Sequence, residues 1–234
     1  MKTKILQKLF SLVEAASCLA FLLIFTSTKP AASMSSYSLL SIGDSYTVGE
    51  MVAINESFPR QTHQLLTKAG YDFELEILAK TGWTTDELQQ AMSQHKFRSS
   101  YHFVTLLIGV NNQYRGRIVE NYKPEFDSLL KQAIKFAGGK ADHVIVLSIP
   151  DWGVTPFAKD RDRNQIAKEI DEYNAANKEI SSTYGVNYID IIPGTREASS
   201  DISLLTSDGL HPSAKEYARW AEKVSTIIQS KMKQ

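Results

Sequence analysis

The sequence predicts an α/β domain built on a mainly parallel, five-stranded sheet. Three observations lead there. Short apolar, β-rich runs alternate with longer helical patterns from Tyr37 to the C terminus. The most apolar runs, VTLLIG and VIVLSI, are continuous rather than alternating, as strands covered on both faces must be. No internal repeat, low-complexity tract or linker interrupts the pattern, so 234 residues with 43% hydrophobic and 22% charged content read as one domain with a substantial core.

The elements follow in order. SYSLLSIG (36–43) is the first strand and runs directly into GDSY; FELEILAKT (73–81) is the second and leads to Gly82-Trp83. YHFVTLLIG (101–109) precedes Val110-Asn111-Asn112, HVIVLSIP (143–150) precedes Asp151-Trp152-Gly153, and VNYIDI (186–191) closes the set. Between them, Tyr122, Phe126, Leu129, Leu130, Ala133, Ile134 and Ala137 form a helical stripe that Gly138-Gly139 terminates. A second stripe runs Ile166, Ile170, Tyr173, Ile180, and a third Ala214, Tyr217, Ala218, Ala221, Val224, Ile228. Ser213 and Glu216 have capping-box spacing, so the last helix is expected to start there, with His211 on the preceding loop and Pro212 holding its backbone extended.

The first 33 residues differ from the rest. Lys2, Lys4 and Lys8 precede an apolar run from Ala15 to Phe25 and then small residues near Ala31 to Ser33, the layout of a secretory signal, which would place a protein of residues 34–234 outside the cytoplasm or in the periplasm. The run is about half the ~20 residues a spanning helix needs, so no stable membrane span is expected. A second reading stays open: Met34 is the true start and the protein is cytoplasmic. Cys18 is the single cysteine, so no disulfide forms within one chain. Equal numbers of basic and acidic residues, 26 of each, leave no excess positive charge for a nucleic-acid partner.

In an open parallel sheet, ligands bind beyond the carboxyl ends of the strands, where four of these polar loops must meet. A serine hydroxyl becomes a nucleophile when an imidazole within hydrogen-bond reach takes its proton and a carboxylate orients that imidazole. Ser45, His211 and Asp208 have the chemistry for those three roles. The oxyanion formed on attack needs preorganised donors, for which the N–H groups of Ser45 and Gly82 and the Asn111 amide are candidates. Taken singly, each signal also has a plain structural meaning: a turn serine, a cap aspartate beside a surface histidine, turn asparagines. The other histidines, at 63, 95, 102 and 143, have no matching partner pattern. A doubly wound sheet with GDSYTVG after its first strand also admits a non-enzymatic reading, a flavin or nucleotide phosphate cradle, which has no need of Asp208-x-x-His211.

In joint order, GDSY with Ser45, TGWTTDEL with Gly82, GVNN with Asn111, and DGLH with Asp208 and His211 resemble the SGNH hydrolases, the GDSL esterase and lipase family. The resemblance spans about residues 37–230. It implies a three-layer α/β/α sandwich with flavodoxin-like strand order, and serine esterase chemistry with neither metal nor organic cofactor. Implied substrates are small-molecule or lipid carboxylic esters, of lysophospholipid or short-chain acyl type, with sugar acetates and acyl thioesters as alternatives on the same site. One departure stands out: Asn112 occupies the place where the family's third block usually has Asp. Loops 112–117 and 151–163 leave strand ends, making Asn112, Tyr114, Arg115 and Trp152 candidate substrate contacts. Arg115 or Arg117 has the chemistry to pair with a phosphate or carboxylate.

Overall fold

A computed structural model describes residues 36–233 of the chain. The signal-peptide expectation concerns residues outside this range. Among the described residues, five strands form one sheet in the order β2-β1-β3-β4-β5. They are β1 (Tyr37–Gly43), β2 (Phe73–Ala79), β3 (Phe103–Leu107), β4 (Val144–Leu147) and β5 (Asn187–Ile189). All four pairings are parallel, so the expected "mainly parallel" sheet is parallel throughout.

The central β3 and β4 are buried along their whole length, whereas edge strand β2 is partly exposed at most positions. Continuous apolar runs therefore mark the strands covered by helices on both sides, and FELEILA marks an edge.

Helices α1 (Ser45–Val48), α2 (Phe58–Lys68), α3 (Thr85–Gln94), α4 (Val110–Tyr114), α5 (Val119–Phe136), α6 (Arg163–Tyr184), α7 (Ile192–Glu197) and α8 (Ala214–Met232) connect or follow these strands. α2 packs on α8, and α5 packs on α3 and α6, giving the two helical layers of a flavodoxin-like sandwich. α5, α6 and α8 bury most of the three apolar stripes, with Ile134, Ile180, Ala214 and Ala218 half-buried at their margins. α2 and α3 were not marked by stripes of their own, because Pro59 and Thr62 share the buried face of α2, and α3 buries only Thr85, Leu88 and Met92. Gly138 and Gly139 end α5 with left-handed backbone, and the Gly139 N–H bonds the Ile134 carbonyl.

α8 begins after Ser213 as expected, but without a capping box. The Ser213 hydroxyl donates to the Ser203 carbonyl (2.7 Å) and ties down the preceding turn. Glu216 turns inward, nearly fully buried, and accepts from Trp220 Nε1 (2.8 Å) and Arg219 (3.2 Å). A buried indole N–H needs a partner, whereas the Ser213 N–H already has one in the Leu204 carbonyl (2.8 Å).

Candidate active site

Strand order 2-1-3-4-5 reverses direction between β1 and β3, which places the loops after these two strands side by side at the sheet's carboxyl edge. Gly43 lies level with Ala79 of β2 and Leu107 of β3. A side chain on Gly43 would collide with the Leu107 carbonyl and the Thr47 hydroxyl, so glycine lets the chain turn sharply into Ser45. Asp44 caps α1, its Oδ1 accepting the Tyr46 N–H (3.0 Å). Ser45 is thus held at the first position of a short helix on a rigid strand.

The structure brings Ser45 to His211, with Oγ and Nε2 3.1 Å apart. The other ring nitrogen, Nδ1, lies 2.6 Å from Asp208 Oδ2. Asp208 Oδ1 accepts from the N–H groups of Leu210 (2.9 Å) and His211 (3.0 Å) and from the Thr206 hydroxyl (2.7 Å). Partial burial pushes the Asp208 carboxyl up, but the bonds from the imidazole, the hydroxyl and the two amides outweigh it and hold the carboxyl at about 2. Asp208 is accordingly a carboxylate across the working pH range, and a carboxylate at Nδ1 fixes the tautomer that leaves Nε2 free to accept a proton. Tyr46 packs its ring on the imidazole at 5.3 Å between centroids.

Gly82 has φ +85°, a left-handed backbone that aligns the 81–83 turn and that other residues adopt only with strain. Among the described residues, the Ser45 and Gly82 N–H groups have no hydrogen-bond partner. Asn111 Nδ2 donates to the Trp83 carbonyl (3.0 Å), which fixes the amide plane and leaves a second N–H for another acceptor. Ser45, Gly82, Asn111 and His211 all line one cavity of 180 Å³, whose remaining wall is largely apolar: Val110, Tyr114, Trp152, Phe157 and Leu210. Tyr114, Trp152 and Phe157 form an aromatic cluster with centroids 5.2 to 6.2 Å apart.

Two expected substrate contacts are corrected. Asn112 does not face the cavity. It is buried, its Oδ1 accepts the Thr85 N–H (3.1 Å), and its Nδ2 donates to Thr85 Oγ1 (2.6 Å) and Glu125 Oε2 (3.3 Å). It ties the start of α3 to α5, and an amide suits this place because it both accepts and donates. Asn112→Asp would set a carboxylate against Glu125, and unfolding in urea at pH 7 is expected to show a loss of about 1–3 kcal/mol; equal stability would dismiss the amide's role.

Arg115 likewise does not line the cavity; it donates to the Gly82 carbonyl (2.6 Å) and to Glu87 (3.2 Å) and so braces the Gly82 turn. Arg117 pairs with Asp86 at 2.6 Å, which holds the Asp86 carboxyl at about 2. Tyr114 and Trp152 do line the cavity. Sequence reasoning missed Tyr46, Thr81, Val110, Phe157 and Leu210 as wall residues. Nothing in their local pattern separates a wall aromatic from a core one.

The remaining histidines serve backbone and surface contacts: His63 to the Phe73 carbonyl, His95 to Glu76, His102 to the Ser38 N–H, and His143 to the His102 carbonyl. Among the described residues no helix is long and apolar enough to cross a membrane.

Residues 41–219 match the GDSL-like Lipase/Acylhydrolase family. No curated protein matches the chain in sequence. Among solved structures, the lipase/acylhydrolase from Enterococcus faecalis is similar with a TM-score of 0.67 and 16% identity, over 83% of this chain and 96% of that one. An acetylxylan esterase from Geobacillus stearothermophilus gives a TM-score of 0.64 at 17% identity, over 82% and 94% of the two chains. The psychrotrophic esterase EstA from Pseudoalteromonas sp. gives 0.62 at 15% identity, over 84% and 99%. Likeness at these identities is likeness of fold.

Proposed function

The chain belongs to the GDSL-like lipase/acylhydrolase family of ester-hydrolysing enzymes, and from that premise we propose that it hydrolyses a carboxylic ester through an acyl-Ser45 intermediate. The observation that carries this reading is the continuous contact from Ser45 Oγ to His211 Nε2 and from His211 Nδ1 to Asp208. Ser45 Oγ attacks the ester carbonyl carbon while His211 Nε2 takes the hydroxyl proton. Negative charge collects on the carbonyl oxygen, and the N–H groups of Ser45 and Gly82 with the Asn111 amide are the donors that receive it. Collapse of this intermediate breaks the bond to the alcohol, which leaves with the proton from His211. Water then attacks the acyl-Ser45 carbonyl, giving its proton to His211, and the free acid departs as Ser45 regains its own. Asp208 stays ionised throughout and stabilises the imidazolium.

The phosphate-cradle alternative leaves the Ser45–His211–Asp208 contact without a purpose. The names of the similar structures, a lipase/acylhydrolase, an acetylxylan esterase and an esterase, support ester chemistry. A fluorophosphonate probe is expected to label the full-length protein once, on the peptide holding Ser45, and to abolish turnover of p-nitrophenyl acetate. A label on another residue, or full turnover after labelling, would overturn the assignment. Running lysophosphatidylcholine, acyl-CoA and acetylated xylo-oligosaccharides beside simple esters ranks the alcohol and thiol partners.

A further inference from the structure

Trp152 forms part of the wall of the cavity beside Ser45 and also lines a second, much smaller cavity of 10 Å³. Tyr46, Trp152 and Leu210 line both, so these three side chains are the partition between them. The smaller space is just enough for one water, whereas 180 Å³ slightly exceeds the ~150 Å³ of an apolar cavity that holds a benzene molecule. A six-carbon group about the size of benzene therefore fits in the main cavity beside Ser45, and nothing larger than a water fits in the small one.

Trp152 is held there from two sides. Its indole Nε1 donates to Gln113 Oε1 (2.7 Å), and Gln113 Nε2 donates in turn to Glu169 (2.7 Å) on α6. Its backbone begins a short turn capped by Asp151, whose Oδ1 accepts the Gly153 N–H (2.9 Å) and whose Oδ2 accepts Arg196 Nε (2.8 Å). Trp152, Gln113 and Asp151 are each at most 5% exposed, so the indole bond to Gln113 and the Asp151 cap on Gly153 are closed to bulk water. A buried indole that merely filled the core would need one acceptor; this one is locked in orientation by an amide that is itself locked by a carboxylate.

We propose that Trp152 is the residue that sets acyl length, restricting the enzyme to esters of short acids of up to about six carbons, and that Gln113 is the positioning residue that keeps the indole across the cavity. The inference rests on the acyl-Ser45 reading. When the indole is removed, or freed to turn, the main cavity joins the small one, where Pro150, Ala198, Leu204 and Leu205 offer further apolar wall.

The test measures kcat/KM for p-nitrophenyl esters from acetate to laurate with wild type, Trp152→Ala, Gln113→Met and Ser45→Ala. The readout is the octanoate-to-acetate ratio within each preparation, which does not depend on the fraction of folded protein. Wild type is expected to prefer acids of six carbons or fewer and to fall at least tenfold by decanoate. Trp152→Ala is expected to raise the ratio tenfold or more. Gln113→Met, which keeps side-chain length but leaves the indole N–H without its acceptor, is expected to raise it several-fold, mainly through KM.

An unmoved ratio in both variants, with turnover still lost in Ser45→Ala, overturns the acyl-length assignment alone. So does a wild-type rate that holds or climbs beyond octanoate, the result expected if long chains leave between Tyr114 and Phe157, each 45% exposed. A Ser45→Ala protein as active as wild type overturns the catalytic reading and this inference with it.

Discussion

Replacing Ser45 with Ala is expected to lower kcat for a short-chain ester by about 10⁶-fold, and replacing His211 with Ala by nearly as much. The informative result is the double variant, which should fall no further than either single one. Oγ and Nε2 are 3.1 Å apart, and each has its chemical use only through the other. Without the imidazole the hydroxyl keeps its proton; without the hydroxyl the imidazole has no proton to take. Residues that act as one unit are strongly non-additive, and the activity that survives comes from oxyanion donors and binding. Single and double variants assayed side by side check this. Losses that multiply would mean the two residues act independently, which the contact between them does not allow.

Asp44→Asn is expected to flatten the pH dependence of stability while leaving the fold intact. Asp44 is fully buried; its Oδ1 takes the Tyr46 N–H, but among the described residues its Oδ2 has no partner. Burial pushes the carboxyl up to about 7, against the opposing pull of the Tyr46 N–H.

The sign follows from proton counting. Between the ordinary value of 3.8 and about 7 the native state holds a proton that the unfolded chain has lost, so stability falls as pH rises across this window. The contribution is full below pH 3.8 and is spent above about 7, a swing on the order of 4 kcal/mol at 1.36 kcal/mol per pH unit. Asn keeps the oxygen that caps α1 and never ionises. Urea unfolding of both proteins from pH 4 to 8 should show Asp44→Asn gaining on wild type steadily up to about pH 7. A difference that stays constant with pH would show that Asp44 titrates normally.

The site was legible wherever chemistry and local pattern coincide. GDSY and GVNN stand out together because each is a tight turn directly after a strand, and DGLH because Pro212 restrains the backbone of its own neighbour just before a helix. Asn112 and Arg115 were misplaced for the opposite reason. They occupy the same stretch as Asn111 and Tyr114, yet their partners, Thr85, Glu125, Gly82 and Glu87, come from segments elsewhere in the chain. On a helix as short as α4, neighbouring residues point about 100° apart, so adjacency in sequence says little about which side chain enters a cavity. The failed capping box at Ser213 has the same cause: Ser203 and Trp220 outbid the local bonds.

The sequence by itself determined that this chain folds as a parallel α/β sheet, and it offered Ser45, Gly82, Asn111, Asp208 and His211 as the candidates for the hydrolase chemistry that their order implies. Periodicity, β propensity and turn chemistry are short-range, so they can be read one segment at a time. Only the tertiary structure decided the depth of the cavity, the partition at Trp152 and the burial of Asp44. These are properties of the space left between elements, made by contacts such as Gln113 with Glu169 and Asp151 with Arg196, and no single segment contains both sides of them.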